Sequence, residues 1–245
     1  MVSKNRTTLL TSLHQKKYRN KYGLFIAEGL KVVKEIEKSR FEAEALYTIE
    51  PGLLDSCKIP ETLINETTLK KISALTTPNR VLGVFRIPEM QPIVYKGLIV
   101  ALDGIRDPGN LGTIIRLCDW FGVKQLVCSH DTVDCYNPKV VQASMGSLAR
   151  VNIIYESLEV LANETRLPLY AATMSGENMY TSKLPEEGIL VMGNEANGIS
   201  QEVLKLISTH IAIPQYGELK ETESLNVATA TAIILSEFKR RTIQK

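Results

Sequence analysis

The sequence lacks the features that mark several common classes of protein. Four cysteines form no C-x-x-C pair and the three histidines are scattered, so nothing supports a structural zinc site. The longest aliphatic run, residues 98–102, is far shorter than the roughly 20 residues of a membrane-spanning helix. No apolar stretch follows the N-terminus in the manner of a secretory signal. We therefore expect a cytoplasmic protein whose cysteines are free, buried thiols.

Three nucleotide-binding or catalytic motifs are also missing. The sequence contains no G-x-G-x-x-G, which argues against a nicotinamide-dependent oxidoreductase with the usual dinucleotide fold. It contains no G-x-x-x-x-G-K-[ST], so a P-loop is excluded. It contains no G-x-S-x-G, so a serine hydrolase of the α/β type has no support.

Acidic residues are absent from residues 1–27, although the chain as a whole is nearly neutral. The 245 residues carry a formal net charge of +2, with 44% hydrophobic and 23% charged residues, which is typical of a globular protein. The basic N-terminal stretch suits RNA, with Lys16, Lys17 and Arg19 as candidate contacts. A solvated helix face and a transit peptide are the alternatives, the latter disfavoured because a strand-like run, residues 24–26, follows directly.

The first part of the chain has a mixed α/β pattern. We predict a helix over residues 7–18, a strand over residues 25–27 and an amphipathic helix over residues 28–38. A strand-like run ends near Ile87, and a proline-containing stretch follows it. We place a domain boundary there, which gives a substrate-binding domain over residues 1–92 and a second domain over residues 93–245.

The second part is a more regular α/β domain. Residues 98–102 form a continuous apolar run, as in a strand buried on both faces of a parallel sheet. We predict a turn over residues 107–110, then a helix that ends at Gly122, and a helix capped by Asn137 before Pro138. Alternating strands and helices imply a parallel sheet covered on both faces. The further predicted strands are residues 125–128, 151–154, 169–172, 189–192 and 210–213.

Three polar loops follow predicted strands, where open α/β sheets bind their ligands. The first runs from Asp107 to Gly112 and leads into Arg116. The second covers residues 193–198, with the sequence GNEANG. The third contains Ile213-Pro214, a polar stretch, and then residues 224–227. From the residues alone, these loops predict a ligand site of unknown kind.

At these loops the sequence resembles the SpoU (TrmH-like) family of RNA ribose 2′-O-methyltransferases, in the SPOUT superfamily. The matching segments are residues 107–116 (DPGNLGTIIR), 191–198 (VMGNEANG), 213–214 (IP) and 224–228 (SLNVA). Each segment alone is weakly specific, but together and in this order they are specific. The resemblance covers about residues 97–241. More loosely, residues 25–29 resemble a substrate-binding domain that has the fold of ribosomal proteins that bind kinked RNA.

The resemblance implies a fold, a cofactor and a partner. It implies a trefoil-knotted α/β methyltransferase domain that works as a homodimer, without a metal. It implies that S-adenosylmethionine binds through Gly193, Ile213 and Leu225. The front domain favours ribosomal RNA as substrate, with transfer RNA as the alternative. A non-catalytic RNA-binding module on the same fold is the second alternative.

The resemblance also implies catalytic residues. Arg116 is the main candidate, either as a base or as a cation that holds a phosphate and stabilises negative charge. Glu195 would orient Arg116 or the ribose. Asn110 is expected to cap its helix and shape the loop, so its role can be purely structural. Ser224 and Asn226 would hydrogen-bond the substrate or hold Arg116 and Glu195 in place, with helix capping alone as the alternative. The candidate catalytic residues are thus Arg116, Asn110, Glu195, Ser224 and Asn226.

Three positions depart from the family pattern. Ala196 stands where glycine is common and would be strained if the position needs a positive φ. The loop over residues 215–223 is longer than expected and acidic, with Glu218, Glu221 and Glu223 beside the expected cofactor site. Ala228 replaces a common serine, from which we expect little. The last predicted helix, residues 227–241, is rich in small residues and can pack within the chain or across a dimer.

Overall fold

The computed structural model describes residues 2–216 and 224–243 and divides into two compact units. The first unit comprises residues 1–90 and 134–150, and the second comprises residues 91–133 and 151–245. Along the chain the elements are α1 (Lys4–Ser12), α2 (Lys16–Tyr22), β1 (Leu24–Glu28), α3 (Leu30–Glu37), β2 (Ala43–Thr48), β3 (Glu61–Leu63), α4 (Glu66–Ile72), β4 (Val81–Arg86), β5 (Leu98–Asp103), α5 (Pro108–Trp120), β6 (Gln125–Cys128), α6 (Pro138–Ser144), β7 (Asn152–Tyr155), α7 (Leu158–Glu164), β8 (Leu169–Asn178), β9 (Gly188–Gly193), α8 (Gln201–Leu204), β10 (Thr209–Ala212) and α9 (Val227–Ile243).

The first unit contains a four-stranded sheet in the order β1-β4-β2-β3. Strand β4 runs antiparallel to both β1 and β2, whereas β3 runs parallel to β2. Side chains from α1, α4 and one sheet face form its apolar core, among them Leu10, Ile26, Ile72 and Leu82. Although β1 is an edge strand, all five of its residues are buried.

Two helices replace the single helix predicted over residues 7–18. Helix α1 ends at Ser12 and α2 begins at Lys16. At the break, the Arg19 guanidinium donates hydrogen bonds to the carbonyl oxygens of Leu13 and His14, at 2.9 and 3.0 Å. The break is stable because a side chain satisfies carbonyl groups that a helix end leaves without partners.

Residues 134–150 lie in the first unit, although they come after two strands and one helix of the second (β5, α5 and β6). The Tyr136 ring packs at 4.8 Å from the Phe25 ring, and Arg150 donates to Glu35 at 2.5 Å. Burial raises the pKa of the Tyr136 hydroxyl. The compact first unit therefore includes a segment from later in the chain. The domain boundary predicted at residue 92 stays a prediction about the order of domains along the sequence.

The second unit contains a six-stranded sheet in the order β10-β8-β9-β5-β6-β7, and every pair is parallel. Strands β5 and β9 are the central pair, with Val100 opposite Leu190, and are almost completely buried. Four of the five connections between successive strands contain a helix, the exception being the one from β8 to β9. The strands are largely apolar runs, as expected for a sheet covered on both faces. The predicted strands at residues 98–102, 125–128 and 189–192 are confirmed within one residue at each end.

Helix α5 begins earlier than predicted. Residues 107–110 were expected to form a turn, but Pro108 is the first helical residue and Asp107 is the N-cap. The Asp107 carboxylate accepts a hydrogen bond from the main-chain N–H of Asn110 at 2.7 Å, so Asn110 is not the cap. Proline suits the first helical turn because its missing N–H has no intrahelical acceptor there. Gly122, with φ of 68°, follows the end of the helix as predicted.

All four cysteines are free thiols; Cys118, Cys128 and Cys135 are buried, whereas Cys57 is half-exposed. Burial raises the pKa of the Cys118 thiol to about 12. Within the described ranges no helix has the length and apolar character needed to cross a membrane. The same residues contain no cluster of three or more His, Cys, Asp or Glu side chains placed to hold a metal ion.

Candidate active site

Two of the predicted loops meet at the carboxyl edge of the parallel sheet. Strands β5 and β9 are neighbours, and Asp103 at the end of β5 lies opposite Gly193 at the end of β9. Just beyond this pair, the Asn194 amide nitrogen donates to the carbonyl oxygen of Gly104 at 2.6 Å. The Asp103 carboxylate accepts from the main-chain N–H of Ser200 at 2.7 Å. The two loops therefore form one surface, at the sheet edge where ligands bind in this class of fold.

Three candidate catalytic side chains form a continuous hydrogen-bonded chain. Asn110 donates from Nδ2 to Oε1 of Glu195 at 2.6 Å. Asn226 donates from Nδ2 to Oδ1 of Asn110 at 2.9 Å. These residues lie 85 and 116 positions apart from Asn110 in the sequence, so the fold brings them together.

The first turn of α9 determines which groups donate and which accept in this hydrogen-bonded chain of side chains. The Asn226 side-chain oxygen accepts hydrogen bonds from the main-chain N–H groups of Ala228 and Thr229, at 3.0 and 3.2 Å. Asn226 therefore caps α9, which leaves its NH₂ group to donate to Asn110. With its oxygen thus occupied, Asn110 must direct its own NH₂ group at Glu195. The Glu195 carboxylate consequently receives a donor and keeps a second oxygen for other contacts.

Arg116 and Ser224 are exposed candidates outside this chain. Arg116 lies on the solvent side of α5, and Ser224 precedes the Asn226 cap. Within residues 2–216 and 224–243, neither side chain has a hydrogen bond or ion pair. The structure thus brings together Asn110, Glu195 and Asn226, but it does not join them to Arg116 or Ser224 by direct contacts. Among these residues no carboxylate pairs with Arg116, and a guanidinium has five N–H donors that can hold a phosphate.

Asn194 is a site residue that the sequence reasoning did not single out. Its side-chain oxygen accepts from the main-chain N–H groups of Ala196 and Asn197, at 2.9 and 3.2 Å. Its main chain exchanges two hydrogen bonds of 2.9 Å with Gly198. This closed loop presents Glu195 at its tip. An asparagine at the start of a tight loop with glycine four residues later is the signal that indicates such a turn.

Glycine at position 193 is required by close approach of the main chain. A Cβ atom there would lie 2.2 Å from the Gly198 carbonyl carbon and 2.3 Å from the Ile199 nitrogen. No side chain fits at such distances, because real Cβ contacts are much longer. Gly193 therefore lets the end of β9 pack against the returning loop.

The three residues predicted to bind the cofactor offer main-chain groups and apolar surface. Gly193 ends β9, Ile213 directly follows β10, and Leu225 exposes 46% of its surface. Strand β8 lies between β9 and β10, and its pairing with β10 shifts between His210 and Ile211.

A buried hydroxyl lies in the same part of the sheet. Thr173 belongs to the stretch of β8 that the register shift leaves unpaired with β10, since Ala171 pairs with His210 and Glu177 with Ile211. The Thr173 side-chain oxygen is buried and has no hydrogen-bond partner among the residues that the structure describes. A buried hydroxyl normally has a partner, so this oxygen is suited to a polar ligand group. A buried hydroxyl at Thr173 and the exposed apolar surface of Leu225 are each chemically compatible with a nucleoside-containing cofactor such as S-adenosylmethionine.

Comparisons with known proteins show the family to which the chain belongs. The sequence model of the SpoU rRNA methylase family matches residues 97–236. The chain belongs to this family. A second model, of the MRM3-like substrate-binding domain, matches residues 4–83. The SpoU match spans the three loops of the candidate site, and the second match falls in the front part of the chain.

Individual relatives cover nearly the whole chain. The 23S rRNA (guanosine(2553)-2′-O)-methyltransferase RlmP of Bacillus subtilis is 28% identical over 246 residues, with 93% of each chain covered. A solved structure from Porphyromonas gingivalis, described as a TrmH-family RNA methyltransferase, has a TM-score of 0.90 and 39% identity, covering 98% of this chain and 99% of that one. The AdoMet-bound rRNA methyltransferase from Sinorhizobium meliloti has a TM-score of 0.86 and 29% identity, covering 98% and 97%. The predicted fold class, an α/β methyltransferase domain with a parallel sheet that follows a small α/β domain along the sequence, is confirmed.

The structure accommodates two of the residues that depart from the SpoU pattern, Ala196 and Ala228. Met145, with φ of 52°, is the only non-glycine residue with positive φ within residues 2–216 and 224–243, so Ala196 is not strained. Ala228 is buried in the first turn of α9, where its N–H donates to the Asn226 cap. The acidic residues Glu218, Glu221 and Glu223 lie outside the described residues.

Arg19 was predicted to contact RNA, and this prediction is wrong. Only 2% of Arg19 is exposed, and its guanidinium donates from Nε to the Asp134 carboxylate at 2.9 Å. Its other hydrogen bonds hold the break between α1 and α2. Lys16 and Lys17, by contrast, are exposed on α2 and stay candidates. Charge alone could not separate the buried cation from the exposed ones.

Proposed function

We propose that this protein transfers a methyl group from S-adenosylmethionine to a ribose 2′-hydroxyl in structured ribosomal RNA. The observation that carries the proposal is the hydrogen-bonded chain from Asn226 through Asn110 to Glu195, close in sequence on α5 to the exposed Arg116. The relatives support the substrate class, because RlmP is named as a methyltransferase of 23S rRNA and the Sinorhizobium protein as an rRNA methyltransferase.

The hydroxyl nucleophile is the difficult part of this reaction. A ribose hydroxyl is a very weak acid and must lose its proton as it attacks. When bound, S-adenosylmethionine supplies an electrophilic methyl group, so activation of the electrophile needs no protein group. The residues of this chain must instead hold the ribose in line and compensate the negative charge that develops on its oxygen.

Arg116 is proposed as the cation that performs the electrostatic part. Its guanidinium is exposed and can hold an RNA phosphate with two parallel hydrogen bonds. In that position it stabilises negative charge developing at the neighbouring 2′-oxygen. A role as general base is disfavoured physically, because arginine stays protonated in proteins.

Glu195 is proposed to orient the ribose. Asn110 occupies one carboxylate oxygen, so the second oxygen is held in a defined direction and can accept a hydrogen bond from a hydroxyl. Ser224 lies beside the Asn226 cap and is proposed as a further substrate contact. Gly193, Ile213, Leu225 and the Thr173 hydroxyl are proposed to hold the cofactor.

Three further properties belong to this proposal. The protein acts as a homodimer, with Ala230 and Ala232 of α9 available for close helix contacts because they are only partly buried. It acts in the cytoplasm, where ribosomal RNA is modified and assembled. Residues 1–92 form the RNA-binding domain, and Lys16 and Lys17 contact phosphates.

Methyl-label transfer tests the proposal. Purified protein is incubated with methyl-labelled S-adenosylmethionine and total RNA from cells that lack the gene, and the RNA is hydrolysed in alkali. A 2′-O-methyl group blocks cleavage of the adjacent phosphodiester, so the label is expected in alkali-resistant dinucleotides from ribosomal RNA. Label in transfer RNA would show that the substrate is transfer RNA rather than ribosomal RNA. Label on a base, or neither transfer nor cofactor binding, would contradict the proposal and favour the RNA-binding module.

A further inference from the structure

One face of α2 carries two tyrosines and two lysines in an ordered arrangement. The rings of Tyr18 and Tyr22 are nearly parallel, with an interplanar angle of 12° and centroids 6.3 Å apart. The Lys17 ammonium lies 4.7 Å from the Tyr18 ring centroid, and the Lys21 ammonium lies 5.3 Å from that of Tyr22. We refer to these four residues as the tyrosine–lysine face.

The opposite side of α2 is fixed to the first unit. Arg19 points inward, is 2% exposed, and pairs with Asp134. Gly23, with φ of 63°, ends the helix and turns the chain directly into the buried strand β1. Because both the helix and its exit are held in place, the tyrosines are presented on a rigid support. A rigid aromatic side chain loses little conformational entropy on binding.

The outer surface of this helix is accessible and positively charged. Tyr22 exposes 42% of its surface, and Lys16, Lys17 and Lys21 are exposed. Residues 1–27 contain no aspartate or glutamate, so this segment supplies no acid of its own to neutralise the lysines. Aromatic rings interleaved with cations suit a ligand that combines flat rings with negative charges, which is the chemistry of single-stranded nucleic acid.

We propose that the tyrosine–lysine face binds unpaired bases of the RNA substrate, by stacking on Tyr22 and Tyr18 while the lysines contact the flanking phosphates. This inference rests on the proposed function and specifies that the front domain recognises a single-stranded loop or bulge. The lysines over the rings do not prevent it. An exposed cation–π contact is weaker than the stacking of a base on an aromatic ring, so a base can displace the ammonium group. The displaced ammonium groups then pair with phosphates.

The test compares two RNA probes and three variants of the full chain. The probes are an RNA hairpin whose purine-rich loop carries 2-aminopurine and a blunt RNA duplex of the same length. The variants are Tyr22→Leu, which keeps apolar bulk and helix propensity, Tyr22→Phe, which keeps the ring, and Lys17→Gln/Lys21→Gln, which removes charge. Affinity is measured for each over a range of salt concentrations, and 2-aminopurine fluorescence reports stacking.

Tyrosine and lysine variants should fail in different ways. Tyr22→Leu is expected to weaken binding of the hairpin about tenfold, with an unchanged salt slope and unchanged duplex binding, because a neutral ring releases no counterions. Tyr22→Phe should bind as the wild type does, with quenched 2-aminopurine. The double lysine variant should lower the log–log salt slope by about 1.5 on both probes.

Two results would overturn the proposal. One is hairpin affinity and fluorescence that do not change in Tyr22→Leu. The other is an equal loss of affinity for hairpin and duplex, which would mean that no unpaired base is stacked. Either result leaves the proposed methyl transfer standing, since cofactor binding and label transfer are read in separate experiments on the same protein.

Discussion

Asn226 donates a hydrogen bond to Asn110, with 2.9 Å between Nδ2 and Oδ1, and this contact gives the candidate site its direction. The start of α9 holds the Asn226 oxygen, so neither amide can be reversed without loss of a hydrogen bond. The orientation of the Glu195 carboxylate therefore depends on a helix cap that lies 31 residues further along the chain, at Asn226.

Two substitutions at Asn226 separate the cap from the hydrogen-bonded chain. Asn226→Asp keeps a capping oxygen but loses the donor to Asn110, whereas Asn226→Ala loses both. We expect Asn226→Ala to lower the free energy of unfolding by about 0.5–2 kcal/mol and Asn226→Asp to change it little. Both should lower methyl transfer on the order of tenfold to hundredfold through misplacement of Glu195. Full activity in Asn226→Asp would show that the hydrogen bonds from Asn226 through Asn110 do not orient the Glu195 carboxylate.

Gly193→Ala tests the close approach at the end of β9. The new Cβ would meet the Gly198 and Ile199 main chain, so the loop must move. We expect a loss of about 1–3 kcal/mol in the free energy of unfolding and at least tenfold weaker S-adenosylmethionine binding by calorimetry. Ala196→Gly, in the same loop, is the matched control. Because Ala196 is unstrained, relief of strain cannot stabilise that variant, and a stabilised Ala196→Gly protein would contradict this account.

Arg19 and its lysine neighbours should respond differently to loss of charge. Arg19→Met leaves the Asp134 carboxylate without its buried partner, so we expect a loss of about 3–5 kcal/mol in the free energy of unfolding. Lys16→Gln/Lys17→Gln should leave stability within about 0.5 kcal/mol. The same lysine variant should reduce the log–log salt slope of RNA binding by about 1.5. An unchanged slope would assign Lys16 and Lys17 to a solvated helix face.

Glu237 is expected to make the stability of the folded protein depend on pH in the acidic range. Hydrogen bonds from Arg240 and then Arg241 lower the pKa of this carboxyl to about 2 from its ordinary 4.5. A lowered pKa in the folded state means that the stabilisation is complete above about pH 4.5 and is lost as the pH falls toward 2. Arg241 also donates to the Met179 carbonyl oxygen at 2.9 Å, so the pair fixes α9 to the end of β8.

Denaturant unfolding at several pH values measures this effect. The wild-type protein should lose stability between about pH 4.5 and about pH 2, and Glu237→Gln should lose less over the same interval. Other carboxyl groups titrate in both proteins, so the difference between the two curves isolates Glu237. Parallel curves would mean that the ion pairs with Arg240 and Arg241 contribute no net stability.

Apolar periodicity predicted the second unit because local pattern and tertiary position agree there. The run over residues 98–102 is buried on both faces as β5, and Leu111, Ile114, Ile115 and Cys118 line the buried side of α5. The turn expected at residues 107–110 was wrong because Pro108 has two uses, at turns and at the first helical position. The preceding Asp107 decides between them by accepting a hydrogen bond from the Asn110 N–H.

Long-range contacts were beyond the reach of local pattern. Nothing in residues 1–27 distinguishes Arg19 from Lys17, since the distinction depends on Asp134, 115 residues later. The motifs identified Asn110, Glu195 and Asn226 as candidates, but only the fold shows their order and the direction of each hydrogen bond. The buried Thr173 hydroxyl left no signal, because a threonine in a strand is ordinary. Only the family resemblance predicts a knotted connection, because knotted chains are rare among proteins and no local pattern indicates one.

Arg116→Ala most directly tests the central claim that this site methylates RNA. Label transfer from S-adenosylmethionine to RNA from cells lacking the gene is compared for the wild type, Arg116→Ala and Arg166→Ala, an exposed arginine that precedes β8 in the second unit. We predict transfer reduced by about 10²–10³ in Arg116→Ala, unchanged cofactor binding, and wild-type transfer in Arg166→Ala. Equal transfer by Arg116→Ala and the wild type would contradict the central claim.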